Sequence, residues 1–346
     1  MILLTLRDLR HRFVRFAVVT VLGAVVFTLL FVMTGLVEQF HREPVDTVDA
    51  LGASTWVLPR GISGPFTAAA PFSTDAVAVV DADEFAPVIV GRAAVAQDGS
   101  EDVVLIGHEV DALGSPPIDE GRPVAAPGEL VADDSLDVDI GDRVTIADTE
   151  LAVVGLTSDS TLLAGIPLVF TELTQAQDLV YDNRGVVSAV LASGEVRAIP
   201  QGTVATSAAG VADSALEPLD GAIASVDLVR VLLWIVAAVI IGAVVYLSAL
   251  ERLRDFAVLK AIGASNRSLL GSLALQAVLV ALLAVALAAV LQLFLAPAFP
   301  LKVSVPTRAF WQLPLIAVGV ALLAGLAGMR RVANSDPALA FSGASG

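Results

Sequence analysis

The sequence predicts an α-helical membrane protein with four transmembrane helices and an α+β extracytoplasmic domain between helices 1 and 2. Three observations predict it. Of 346 residues, 56% are hydrophobic and 16% charged, and the mean hydropathy of +0.81 lies well above that of ordinary globular chains. The net charge is nevertheless −16. That charge is confined to one stretch: between Glu43 and Asp220, 30 Asp and Glu stand against 6 Arg and no Lys, whereas the remainder carries 14 basic and 6 acidic residues. An acidic, water-exposed domain therefore sits between apolar segments with basic flanks.

Taken in order, the apolar segments come first. A hydrocarbon core about 30 Å thick needs roughly 20 residues of helix, and the runs at 13–38, 229–250, 269–296 and 313–329 meet or approach that length. The first follows "MILLTLRDLRHR", a charged lead like that of a signal peptide. Its apolar run is too long and lacks an A-x-A exit, so it reads as an uncleaved anchor. Arg7, Arg10, Arg12 and Arg15, then Arg252, Arg254, Lys260 and Arg267, then Arg330 and Arg331 fall on one side of the spans. The loop 297–312 on the other side has only Lys302 and Arg308. The side richer in basic residues is cytoplasmic. The expected layout is a multi-pass protein of a bacterial-type plasma membrane with both termini cytoplasmic. Residues 1–38 form the N-terminal helix and first span, 39–226 the outer domain, and 227–346 spans two to four with the tail. Ala274, Ala277, Ala281, Ala284 and Ala288 line one face of span three, and Ala317, Ala321, Ala324 and Gly328 one face of span four, as closely packed helices require. Gln276 and Gln292 are expected to bond to a neighbouring helix.

Residues 39–226 read as short strands between turns: "STWVLP", "VVLIGHEV", "RVTIADTELAVVGLT", "GIPLVF" and "VVSAVLAS". "DRVTIADTELAVVG" alternates on both sides of "ADTE", as a hairpin does. The helix "TQAQDLVYD" opens with Thr174 and Gln177 at capping-box spacing. Asp133/Asp134 and Glu101/Asp102 read as a solvated acidic surface, because no D-x-[DN]-x-[DN]-G calcium loop occurs. His108 lies in a strand pattern with no second His nearby and reads as structural.

Several functions are excluded at this level. With no cysteine there is no disulfide framework, thiolate nucleophile or cysteine metal site. Lys260 and Lys302 are the two lysines, and neither stands in a G-x-x-x-x-G-K-[ST] loop, so ATP hydrolysis needs a separate chain. Basic residues are scattered near span ends rather than gathered in a stripe, which excludes nucleic acid as a partner. No cofactor is expected on this chain, and it is not expected to be an enzyme.

The stretch "ERLRDFAVLKAIGASNRS" (251–268) interrupts two uncharged runs. Leu253, Phe256, Ala257 and Lys260 share one helical face, Gly263 suits a left-handed C-cap, and Ser265 can N-cap the next span. A short amphipathic helix at 251–263 is expected at the cytoplasmic surface, either as a lipid-facing connector or as a docking helix. Both charge signs and the short apolar face favour docking. Together with "RRVANSDPALAF", which contains Asp336 and Pro337, this stretch resembles the permease domain of FtsX/MacB-type ABC transporters. The resemblance implies that Glu251, Arg252, Arg254, Asp255, Phe256, Leu259, Lys260 and Gly263 dock a cytoplasmic ABC ATPase subunit that binds ATP and Mg. It also implies a homodimer, two permeases with two ATPases. The lack of a fused ATPase and the modest outer domain are similar to the stand-alone permeases of the DevC and haem-exporter (HrtB-like) types.

One local feature bears on what is moved. Near the outer end of span one, "FVMTGLVEQFHREP" places Met33, Glu38 and His41 on the same half of the helix, with Arg42 next in sequence. Met and His are common haem-iron ligands, and a Glu in the outer turn of a span needs a reason. Haem is therefore the specific expectation for the substrate, with Met33, Glu38 or His41 at the iron and Arg42 at a propionate. The plainer reading is that Glu38, His41 and Arg42 mark the water interface and Met33 fills space. Efflux of a lipid, peptide or antibiotic, a non-transporting subunit that regulates an outer partner, and a membrane-anchored binding module complete the alternatives.

Overall fold

Helix α1 runs from Phe13 to Ala50, twelve residues beyond the expected end of the first span at 38. The computed structural model describes residues 13–333 apart from 69, 97–99, 252–265, 300 and 302. The chain divides into two compact units, one of 1–38 with 224–346 and one of 39–223.

In the first unit α1 is joined by three helices, which the numbering below calls α4 (Asp220–Glu251), α5 (Asn266–Leu295) and α6 (Ala309–Ala333). Long Leu/Ala/Val runs take this form because an apolar solvent leaves backbone groups no partner outside their own helix. Among the described residues, three helices containing α1, α4 and α5 are long and apolar enough to cross a membrane, and Ala309–Leu323 of α6 is a shorter apolar stretch. Of the expected small-residue faces, Ala277, Ala281, Ala284 and Ala288 on α5 and Ala317 and Ala321 on α6 are buried, and Ala274 is half-buried. Phe27, Leu30 and Phe31 of α1 and Ala237, Ile241 and Val245 of α4 complete that core. Gln276 reaches α4, its Nε2 donating to Ser248 Oγ at 3.1 Å, and Gln292 is buried.

The second unit is α+β. Its strands are β1 (Thr55–Pro59), β2 (Phe72–Ser73), β3 (Asp81–Ala96), β4 (Ser100–His108), β5 (Glu120–Gly121), β6 (Glu129–Asp133), β7 (Arg143–Ile146), β8 (Thr149–Thr157), β9 (Thr161–Leu162), β10 (Ile166–Glu172), β11 (Val186–Val187), β12 (Ala189–Ala198) and β13 (Thr203–Ser207), with helices α2 (Leu173–Tyr181) and α3 (Ala208–Leu216). The main sheet runs β13-β1-β12-β3-β4-β10-β6-β8-β5. β7 pairs with both β8 and β3, so the path β3-β4-β10-β6-β8-β7 closes on itself. Closure removes free edges from that part of the sheet. β10 lies parallel to β4, β6 parallel to β8, and the other ladders of the main sheet are antiparallel.

Strand residues alternate between two cores. Ile89, Leu105, Leu130 and Val169 face one, with Leu173 and Ala176 of α2. Val88, Ile106, Val131 and Phe170 face the other, with Trp56, Phe66, α3 and the α1 residues Val48 and Leu51. Fully burying each large apolar side chain contributes about 1.5–3 kcal/mol, and Val48 and Leu51 explain why α1 continues past 38. The hairpin expected at "ADTE" is β7–β8, turning at Ala147 and Asp148 with φ of 46° and 65°.

Two local expectations are corrected. The N-cap of α2 is Glu172, whose side chain accepts from the amides of Thr174 and Gln175. Thr174 instead lies inside the first turn, and Gln177 donates to Thr74 Oγ1 and the Val186 carbonyl. Glu172, the last residue of β10, starts the helix two residues earlier than expected, and the Thr174 hydroxyl donates to its carboxylate instead of capping. Asp133, expected on a solvated surface, is 1% exposed. It accepts from the Ser135 amide at 3.1 Å and from the Ser160 amide at 2.7 Å, so it is a structural carboxylate and not part of a charged face.

Candidate functional site

Of the residues expected to dock an ATPase, Glu251 ends α4 and is exposed. Arg252, Arg254, Asp255, Phe256, Leu259, Lys260 and Gly263 lie outside the described residues, as do Asp336 and Pro337.

The residues expected to meet a substrate all lie on α1. Met33 and Glu38 belong to the first unit, where both are half-buried. Glu38 Oε2 accepts from Arg308 Nη2 at the start of α6. This pairing supplies the reason for a carboxylate at that end of the apolar run. Three residues earlier, Gly35 is buried: a Cβ there would lie 2.7 Å from Val303 Cγ1 and 2.9 Å from Val305 Cγ2. The absent side chain lets segment 303–305 lie against the helix. Phe31 stacks on Phe310 with ring centroids 5.3 Å apart. Leu30 is fully buried, so it is closed to any molecule that approaches Met33 or Val37 from outside the chain. His41 and Arg42 belong to the second unit and are exposed. Arg42 lies 3.7 Å from Asp46, one turn on.

Sequence reasoning missed the buried polar groups of the second unit. Glu43, 3% exposed, accepts from the amides of Ala164 at 3.1 Å and Gly165 at 2.8 Å. Leu163, Ala164 and Gly165 carry φ of 56°, 70° and 94°, so successive amides turn inward and form a concavity suited to an anion. Thr47, one helical turn after Glu43, donates to the Thr161 carbonyl at 2.8 Å. The nearest sequence signal was the helix-breaking "REP", which hides a partner 121 residues away.

Burial also sets proton affinity in this unit. It pushes Asp133 above the usual carboxylate range, against the hydrogen bonds from Ser135 and Ser160. It pushes His108 below 6.5. The Arg122 guanidinium holds Glu129 down at about 2. Among the described residues no group of three or more His, Cys, Asp or Glu could hold a metal ion.

The FtsX-like permease C-terminal family matches residues 228–337. Over nearly the full length the chain is similar to uncharacterized ABC transporter permeases of Mycobacterium tuberculosis (strain ATCC 25618 / H37Rv). It is 41% identical to Rv2563 and 38% identical to Rv0072, covering 99% of this chain and 100% of the relative in each case. Among solved structures, the periplasmic region of MacB from Actinobacillus actinomycetemcomitans is 10% identical over 48% of this chain and 93% of that one, with a TM-score of 0.36, too low to assign a shared fold.

Proposed function

The chain belongs to the FtsX/MacB-type family of ABC transporter permeases, and from that premise we propose that it couples ATP hydrolysis by a separate ATPase to efflux of a hydrophobic or amphipathic compound from the membrane. The observation that carries the proposal is the span of the family match. It opens in α4 and closes at Pro337, so it takes in "ERLRDFAVLKAIGAS" together with Asp336 and Pro337 of the tail. In this reading 251–263 docks the ATPase through Phe256 and Leu259, both termini are cytoplasmic, 39–226 faces outward, and α6 is the fourth span.

The test is replacement of Phe256 or Leu259 by Asp. Assembly with the co-expressed ATPase should be lost while membrane insertion stays intact. Removing a buried apolar anchor costs roughly 1.5–3 kcal/mol, and burying a carboxylate adds to it. Co-purification at the wild-type level would overturn the docking helix. ATPase stimulation by candidate compounds then separates an exporter from a subunit that only transmits force to an outer partner.

Two finer statements belong to the same reading. The working unit is a homodimer with two ATPases. Val18, Leu22 and Val25 expose an apolar stripe on α1, whereas Gly35 is covered, so a single cysteine at Val25 should crosslink to its mate and one at Gly35 should not. Haem is the specific candidate for the substrate. Met33 or His41 would supply an iron ligand, while Glu38 is already engaged by Arg308. A Soret titration that shows no saturable change, or the same change in Met33→Ala and His41→Ala, excludes that site.

A further inference from the structure

The outer part of α1 ends in a grip on one hairpin of the second unit. Glu43 and Thr47, at i and i+4, lie on one helical face and are 3% and 2% exposed. Thr47 Oγ1 donates to the Thr161 carbonyl in β9 at 2.8 Å. The Glu43 carboxylate accepts from the amides of Ala164 and Gly165 at 3.1 and 2.8 Å, in the turn between β9 and β10. The hairpin is thus held on both sides of its bend. Its start is fixed separately by Asp133, which accepts from the Ser160 amide at 2.7 Å.

What the grip holds is central to the sheet. β10 leaves this turn and pairs along its length with β4 on one side and β6 on the other. It ends at Glu172, the N-cap of α2. The turn itself is held in an uncommon shape, with two non-glycine residues and a glycine in succession in the left-handed region. Withdrawing the carboxylate would leave two amides and an anion without partners in a buried place, a cost far above that of a surface contact. The grip therefore follows the helix instead of slipping. Pro44, immediately after Glu43, removes the amide that would bond the Phe40 carbonyl. The α1 ladder is weakest beside the grip, where bending costs least.

We propose that Glu43, with Thr47 as the second point of hold, is the residue through which displacement of α1 is delivered to β10 and hence to the centre of the sheet. This rests on the reading of the chain as a permease driven by a separate ATPase. The experiment has two arms so that the two ideas fail separately. In the first, hydrogen exchange is followed in the purified full-length chain. Glu43→Gln keeps the shape but removes the charge and puts an NH2 donor against one of the two amides, and should speed exchange at Ala164 and Gly165 by roughly ten-fold or more. Thr47→Val should produce a smaller increase centred on the 161–165 turn, and serves if Glu43→Gln does not fold. Unchanged exchange in both variants overturns the grip. In the second arm, the permease co-purified with its ATPase is compared with and without ATP. Wild type should show an ATP-dependent change in exchange over 161–172. Glu43→Gln should assemble and hydrolyse ATP but lose that change. An identical ATP-dependent change in the variant, or none in wild type, overturns delivery through Glu43. If no ATPase co-purifies, it is the permease reading that fails, and the first arm still decides the grip.

Discussion

Glu38 on α1 and Arg308 at the start of α6 form an ion pair across 270 residues of sequence. Glu38 is 18% exposed and Arg308 60%, so the pair is neither dry nor fully hydrated. Glu38→Gln and Arg308→Gln should each lower the unfolding temperature in detergent. The double variant should lose less than the sum. A coupling of about 1 kcal/mol, shrinking with added salt, is expected for a partly exposed pair. Strict additivity would mean that the two charges do not interact.

Gly35 has no room for a side chain. Gly35→Ala should destabilise the first unit by about 1–3 kcal/mol through overpacking, and Val303→Ala or Val305→Ala in the same chain should restore part of the loss. In this cysteine-free chain, Gly35→Cys with Val305→Cys should form a bond within one copy under oxidation. A Gly35→Cys variant as stable as wild type would show that the segment does not lie against the helix.

Gln276 and Ser248 make a polar contact inside the helical core, and Gln276 Oε1 is buried without a partner among the described residues. Ser248→Ala should cost about 1–2 kcal/mol because it strands the amide donor, whereas Ser248→Ala with Gln276→Leu, which removes both partners, should be near neutral. Thermal unfolding of both variants checks the asymmetry, and equal losses would contradict it.

His108 gives a pH signature. Its Nδ1 lies 2.9 Å from the Glu109 carbonyl, and its Nε2 is buried without a partner among the described residues. Burial lowers the pKa from 6.5, so the unfolded chain binds the proton more readily than the folded one. The contribution to stability is complete above pH 6.5 and is lost as pH falls below it toward the folded value. Unfolding temperatures from pH 7.5 to 5 should fall more steeply in wild type than in His108→Gln. Parallel profiles would place the titration elsewhere.

Glu129 acts at lower pH. Arg122 holds it through two hydrogen bonds of 2.8 and 2.5 Å, and the Ala125 amide adds one of 2.8 Å. Because its pKa falls from 4.5 to about 2, the stabilisation is present above pH 4.5 and disappears as pH falls through about 2. Arg122→Gln should flatten the acid-unfolding profile in that interval, less so in high salt because the guanidinium is exposed. An unchanged profile would show that other carboxylates dominate acid unfolding.

Periodicity and composition reported what depends on neighbours in sequence. The apolar helices, the small-residue faces of α5 and α6, the Gln276 contact to α4 and the β7–β8 hairpin were all legible, since each follows from spacing of a few residues. The buried carboxylates were not legible, because Asp or Glu in an acidic stretch reads as surface until its partners are known. Glu43 finds amides more than a hundred residues away, and Asp133 looked like its exposed neighbour Asp134. The closure of β7 onto β3 also escaped, since strand order depends on long-range pairing that alternation does not encode. The cap of α2 was misplaced by two residues, because a strand-ending Glu that also caps the next helix does not show in the spacing.

β1 occupies the middle of a ladder whose other members arrive late. Thr55 pairs with Ala192 on one side and Ser207 on the other, so the first strand made must wait until nearly the whole domain has been synthesised. Until then its apolar residues Trp56, Val57 and Leu58 have no strand to lie against. Pairings of such sequence separation form slowly and leave apolar chain exposed meanwhile. The −24 charge spread over Glu43–Asp220 keeps emerging chains apart during that wait. Final assembly of the sheet is thereby timed by the emergence of β13, with one short helix, α3, left before the chain enters α4.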